Sequence, residues 1–359
     1  AEHEDGAGPA VSATPVATAP ADPAAPADPA APADPAPWTT APLWQNLEDL
    51  RDSDATVLVE MAPSSGAGPR TVSWRLLSRR VDELAAGLLA LGVRPGDRVS
   101  LLVPPGADLT AVLYACVRIG AVVVVADAGL GLRGLTRAVR GARPSYVIGA
   151  LPGLSAARAL GWPGTKISTT VLPAPTARAL GVTRSLLDVA ALGARALEGT
   201  TLSALAPVPS PEDTAAVLFT SGSTGPAKGV VYAHGQLSAV RDALAERYGI
   251  GPGSGLVAGF APFALLGPAL GARSVTPDMD VTSPSTLTAR ATAAAVAAAD
   301  ATTLFLSPAA IANVVATSGE LTDEDRAALA RVQTFLSAGA PVSGSLLAAA
   351  ESLMPAATA

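Results

Sequence analysis

Residues 218–230 read Leu218-Phe-Thr-Ser-Gly-Ser-Thr-Gly-Pro-Ala-Lys-Gly-Val230, a glycine- and hydroxyl-rich turn set between two apolar runs. Ala215 to Phe219 reads as a buried strand and Val230 to Tyr232 as another. The small residues between them let backbone N–H groups come close to an oligophosphate. Lysine is rare here: Lys166 and Lys228 are the only two, and every other base is arginine. A compact ammonium kept against that bias marks Lys228 as a charge wanted at this place. The same letters also fit a plain hairpin turn with a solvated lysine.

Two familiar loops do not fit. A Walker loop needs Lys followed by Ser or Thr after its second glycine, whereas Lys228 stands between Ala227 and Gly229. A nucleophile elbow needs glycine two residues to either side of the serine, and Ser221 occupies one of those places relative to Ser223. The stretch instead resembles the phosphate-binding signature of the adenylate-forming superfamily of acyl- and aryl-CoA synthetases, peptide-synthetase adenylation domains and luciferases. Thr71-Val-Ser-Trp-Arg-Leu76 is similar to that family's early helix-start motif, and Ser337-Ala-Gly-Ala-Pro341 to its adenine-contacting segment. The motifs come in the family's order, and the similarity runs from about Trp44 to the end of the chain.

A narrower resemblance rests on Val103-Pro-Pro-Gly-Ala-Asp-Leu-Thr110, Val122-Val-Val-Val-Ala-Asp-Ala-Gly-Leu-Gly131 and Ala261-Pro-Phe-Ala-Leu-Leu-Gly-Pro268. These look like the β-lactone synthetases of bacterial olefin biosynthesis, and Ala264 stands where the wider family commonly has a pocket histidine. The resemblance implies ATP-dependent activation of a long-chain carboxylic acid as acyl-AMP. A 2-alkyl-3-hydroxy fatty acid would then close to a β-lactone, with a fused or associated olefin-pathway enzyme as a partner; fatty acyl-CoA synthesis is the alternative. It implies catalytic roles for Lys228 and Thr220, and nucleotide contacts from Thr220, Ser221, Gly222, Ser223, Thr224, Gly225, Lys228, Ala338, Gly339, Ala340 and Pro341. Phe263, Ala264 and Gly267 would line the substrate pocket, and Mg²⁺ would accompany the ATP. The family's Tyr-Gly-x-Thr-Glu motif does not occur before Ala359. The expected fold is therefore α/β, the large N-terminal domain of an adenylate-forming enzyme with βαβ subdomains and mainly parallel sheets, its C-terminal domain absent and its turnover lost. A noncatalytic nucleotide-binding module remains the reading of another class.

Composition narrows the field. A net charge of −6 leaves no basic footprint for nucleic acid. Cys116 is alone and the histidines are only His3 and His234, so neither a disulfide framework nor a transition-metal cluster can be assembled, and a reducing cytoplasm fits. His234 matches a histidine that often follows the family's phosphate loop, and reads first as a helix-start residue. The run Leu109 to Ala126 is nearly long enough for a membrane span, but Arg118 opposes it and Gly120 divides it into a helix and a strand.

Residues 1–43 form a Pro/Ala-rich segment in which Pro20-Ala-Asp-Pro-Ala-Ala repeats through Pro37, expected to be extended and without a core of its own. It lacks the basic start of a signal peptide, and a disordered leader and an interdomain tether both fit. Two α/β subdomains are expected beyond it, 44–210 and 211–359. Leu77, Val81, Leu84, Leu88 and Leu91 alternate spacings of four and three from Ser73, which predicts a helix ended by Gly92. Strands over 98–103, 121–126 and 145–149, with helices over 108–119 and 132–139, give a βαβ rhythm. Gly129-Leu-Gly-Leu-Arg-Gly134 satisfies a dinucleotide-binding glycine pattern, yet no acid occurs between Asp127 and Asp188 to hold a ribose. Leu237, Val240, Leu244 and Tyr248 predict a further helix ended by Gly249, and Phe263 to Gly271 the start of another.

Overall fold

In the computed structural model the described residues are 40–62, 68–126, 131–220, 228–259, 266–280 and 283–358. They lie in one compact unit, Pro35–Ala359; the other unit, Ala1–Asp34, is outside the described residues. Within Pro35–Ala359, Leu43 is buried, and the carbonyls of Ala41 and Pro42 accept from Arg241 at 2.9 Å.

The strands are β1 (Thr56–Glu60), β2 (Arg70–Ser73), β3 (Arg98–Leu102), β4 (Val122–Ala126), β5 (Tyr146–Gly149), β6 (Thr165–Ser168), β7 (Val182–Ser185), β8 (Thr214–Thr220), β9 (Lys228–Ala233), β10 (Gly255–Ala258), β11 (Arg273–Thr276), β12 (Thr303–Leu306) and β13 (Thr334–Ser337). Among the described residues they form two sheets. The first runs β7-β6-β5-β3-β4-β8-β9 and the second β13-β12-β10-β11-β1-β2. Only the β8–β9 and β1–β2 pairs are antiparallel. The mainly parallel α/β architecture expected from the βαβ rhythm is the one found. The sheets are interleaved along the chain, so the stretches 44–210 and 211–359 each give strands to both, and a boundary at 210 divides the chain without dividing the sheets.

The predicted helix over the Leu77 series spans Trp74–Ala90; the Ser73 hydroxyl accepts from the Leu76 amide at 3.2 Å, and Leu77, Val81, Leu84 and Leu88 are buried. It crosses the Leu186–Ala196 helix at two glycines, Gly87 and Gly193, where a Cβ on either would run into the other helix's backbone. These two helices and Ala107–Arg118 share one large core on a face of the seven-stranded sheet. Arg118 is buried in it, bonded to Glu48 at 2.6 Å with its guanidinium 5.2 Å from the Trp44 ring. The suspected span is thus the Ala107–Arg118 helix followed by β4, and no helix among the described residues is long and apolar enough to cross a membrane.

Candidate functional site

β8 and β9 form a hairpin whose connecting residues, 221–227, lie outside the described residues. Ser221, Gly222, Ser223, Thr224 and Gly225 are therefore not placed, but the two ends of the loop are. Residues 220 and 228 stand opposite each other as the last register pair before it. Lys228 is exposed, so its ammonium is free to meet an anion held above the hairpin mouth. One pair further down, Gly229 faces Phe219, and a Cβ there would lie 2.9 Å from the phenylalanine ring. The glycine after the lysine is thus required by packing under the ring.

β9 departs from the buried strand that Val230 to Tyr232 suggest. Val230 is 42% and Val231 59% exposed, because β9 lies at the sheet edge beyond β8. Apolar composition alone does not distinguish an edge strand from a central one.

The base of the hairpin is fixed by its flanks. The Asp213 carbonyl accepts from the His234 amide at 3.0 Å, while the Asp213 carboxylate accepts from the Ser210 amide at 2.8 Å. His234 begins the His234–Tyr248 helix, as a helix-start residue should, and is buried with its ring edge-on to Trp44 at 6.1 Å. Burial lowers its pKa to about 4, against the opposing pull of Asp213.

Phe263 and Ala264 lie outside the described residues. Gly267 is buried where its short helix meets β11, and a Cβ there would collide with the Ser274 side chain. On that side the small residue serves close packing of helix on strand, so the room beside it is filled by Ser274 and offers no space to an alkyl chain. Ala338, Gly339, Ala340 and Pro341 form an exposed turn after β13, with Gly339 at φ +109°. That turn belongs to the six-stranded sheet, and the phosphate hairpin to the seven-stranded one.

The sequence reading missed a contact that ties the sheets together. Glu60 at the end of β1 accepts from the Ala107 amide at 2.6 Å, the first amide of the Ala107–Arg118 helix, and pairs with Arg70 of β2 at 2.7 Å. Gly106 precedes that helix at φ +151°, and the Glu60 carboxylate sits where its Cβ would be. The Pro104-Pro-Gly106 motif carried the signal, since a glycine before a helix invites an acceptor for the free amides. A second tie is the segment 41–49, held by Arg118 and Arg241 and by the Asn46 amide, which donates to the Ala269 carbonyl at 2.7 Å.

Lys228 stands exposed at the end of the hairpin, and the backbone of residue 220, which begins the loop, stands opposite it. For Mg²⁺, no cluster of three or more His, Cys, Asp or Glu side chains occurs among the described residues. The other buried titratable groups do not contribute: burial pushes the Cys116 thiol up to about 12 and raises Tyr114 as well.

Residues 48–359 match the family described as AMP-binding enzyme. The chain is 35% identical over 286 residues to the olefin beta-lactone synthetase of Xanthomonas campestris pv. campestris, covering 80% of this chain and 48% of that protein. It is also 35% identical over 289 residues to the enzyme of the same name from Stenotrophomonas maltophilia, with coverage of 80% and 49%. The chain thus spans about half the length of the curated relatives it matches. Among solved structures, an acyl-CoA synthetase of Brucella canis superposes with a TM-score of 0.69 at 18% identity, covering 89% of this chain and 56% of that one. The anthranilate CoA ligase AuaEII, in complex with anthranoyl-AMP, gives 0.68 at 18% identity, covering 89% and 59%. At such identities these two show the fold, and it is the family match over 48–359 that fixes the lineage: the chain belongs to the AMP-binding enzyme family.

Proposed function

We propose that this chain supplies the nucleotide-binding part of an ATP-dependent, AMP-forming ligase that activates a 2-alkyl-3-hydroxy fatty acid and releases it as a β-lactone. The observation that carries the reading is the hairpin whose ends, Thr220 and Lys228, face each other across the phosphate loop, in a chain 35% identical to two olefin beta-lactone synthetases. A carboxylate is a poor electrophile until its oxygen carries a good leaving group. Its attack on the α-phosphate forms the acyl-AMP and expels pyrophosphate. In this reading Thr220, the hydroxyls and amides of 221–225, and Lys228 hold that pyrophosphate, while 338–341 contact the adenine. Mg²⁺ would add positive charge on the phosphates. Preorganised charge aimed at the departing group is worth more than a flexible contact, because it needs no rearrangement as the charge develops.

The substrate's own β-hydroxyl then attacks the activated carbonyl, loses its proton and expels AMP. No second substrate is needed, since the attacking oxygen is held close by the substrate itself. The fatty acyl-CoA synthetase reading differs only in the acceptor, an external thiol. The deciding measurement supplies ATP, Mg²⁺ and a 2-alkyl-3-hydroxy fatty acid, with and without CoA, to a polypeptide extended to the length of the relatives. AMP release without CoA and a four-membered lactone by mass spectrometry and NMR are expected; strict CoA dependence with a thioester product overturns the lactone reading. A cytoplasmic location and an associated olefin-pathway enzyme accord with the proposal.

A further inference from the structure

Residues 128–187 contain no aspartate or glutamate, although the chain carries 30 such acids in 359 residues. The same stretch holds seven arginines and Lys166. In a chain of net charge −6, a basic block of this length is a local feature that composition does not explain.

Topology gathers the block on one surface. The connection from β4 to β5 passes across β3, and those from β5 to β6 and β6 to β7 continue in the same direction. Right-handed crossovers therefore put the helices Gly131–Ala142, Leu151–Ala159 and Ala174–Leu180 on one face of the sheet, opposite Ala107–Arg118. Packing agrees, because Val139, Leu154 and Ala157 share a core with Leu135 and Leu180. These helices carry Arg133, Arg137, Arg158 and Arg178, and Arg143 directly follows the first of them; all five are exposed and none is in an ion pair among the described residues. Arg158 donates to the Ala179 carbonyl at 3.1 Å, which leaves its charge unmatched. Of the two acids that border the stretch, Asp127 lies outside the described residues and Asp188 closes the capping box of the Leu186–Ala196 helix, accepting from the Ser185 amide at 2.8 Å.

Apolar side chains edge this face. Leu132, Leu151 and Val171 are 60%, 46% and 66% exposed, and each follows the carboxyl end of a parallel strand, β4, β5 or β6. β8 is parallel to β4 and ends at Thr220, so the phosphate hairpin opens at the same edge. Basic charge over a helical face with aliphatics at its rim is the pattern of a protein lying on a bilayer, where arginines meet anionic headgroups and aliphatics enter the acyl boundary. We infer that the three-helix face, with its Leu132, Leu151 and Val171 rim, docks on an anionic phospholipid surface. The inference is independent of the ring-closing chemistry. An acidic protein would satisfy the arginines and leave the aliphatic rim in water, so lipid is the occupant the surface fits better.

The test is co-sedimentation of the 359-residue chain with vesicles of phosphatidylcholine alone or mixed with phosphatidylglycerol. Binding is expected only with the anionic lipid, and should weaken as salt is raised. An arginine near such a surface is worth about fivefold in binding, so R133E/R137E is expected to lower it at least about thirtyfold. R195E/R247E makes the same charge change on helices outside this face, and should alter binding far less. L132S/L151S should weaken binding without changing its salt dependence. Circular dichroism checks that each variant is folded. Equal binding to both vesicle types, equal losses in the two arginine pairs, or retention on an acidic protein without binding to anionic vesicles would each overturn the inference.

Discussion

Lys228 begins β9 and His234 follows its last residue, six positions on, so the two serve opposite ends of the same hairpin strand. Lys228 is exposed at the loop, where its charge is available to an anion. In a polypeptide extended to the relatives' length, Lys228→Ala is expected to slow adenylation about a hundredfold or more, the usual cost of removing one preorganised charge. Carboxylate-dependent pyrophosphate exchange measures this directly, and an unchanged rate would remove Lys228 from the phosphate site. His234 is buried and neutral, with a pKa lowered from 6.5 to about 4. Above pH 6.5 both folded and unfolded chains carry a neutral ring, and the full stability is present. As the pH falls from about 6.5 to about 4 the unfolded chain takes up the proton first, and stability drops by up to about 1.4 kcal/mol per pH unit before levelling off. His234→Phe keeps a ring beside Trp44 and cannot titrate, so its melting temperature should fall less steeply across that window than the parent's.

The elements themselves were legible where the pattern is local. Leu77, Val81, Leu84 and Leu88 mark their helix by spacing alone, and the alternation of β3, β4 and β5 with helices foretold parallel pairing. Contacts between elements were not legible. Glu60 meets Ala107 across 47 residues: Gly106 marks a helix start whose amides want an acceptor, but nothing in the sequence names Glu60 as that acceptor. The exposure of β9 was hidden likewise, since Val230 and Val231 look like core residues until the sheet order puts them at an edge. The Glu60 contact is testable as a unit. Glu60→Ala removes the acceptor at the helix start and should cost about 1–2 kcal/mol. Gly106→Ala strains the backbone and pushes the same carboxylate aside. Because both changes break one contact, their denaturation costs should sum to more than that of the double variant, by about 0.5 kcal/mol or more. Strict additivity would mean that Gly106 is needed for its backbone alone.

At the scale of the whole molecule, the family match reaches Ala359 while the chain covers about half of its curated relatives. The 359 residues alone should therefore release AMP far more slowly than a polypeptide extended to the relatives' length. Side-by-side turnover of the two, at equal concentration, checks this; equal rates would place the whole activity within residues 1–359. The interleaving of the sheets carries a separate consequence, for the order in which the chain is made. β1 and β2 leave the ribosome early, yet the strand that flanks β1 is β11, which starts at Arg273, 200 residues after β2 ends at Ser73. At about 5–20 residues per second this delay is about 10–40 s. The seven-stranded sheet is complete by Ala233, well before β11 emerges. A newborn chain thus carries one finished sheet and one orphan hairpin, with the apolar residues Val57, Leu58 and Val59 waiting for a neighbour that has not yet been translated.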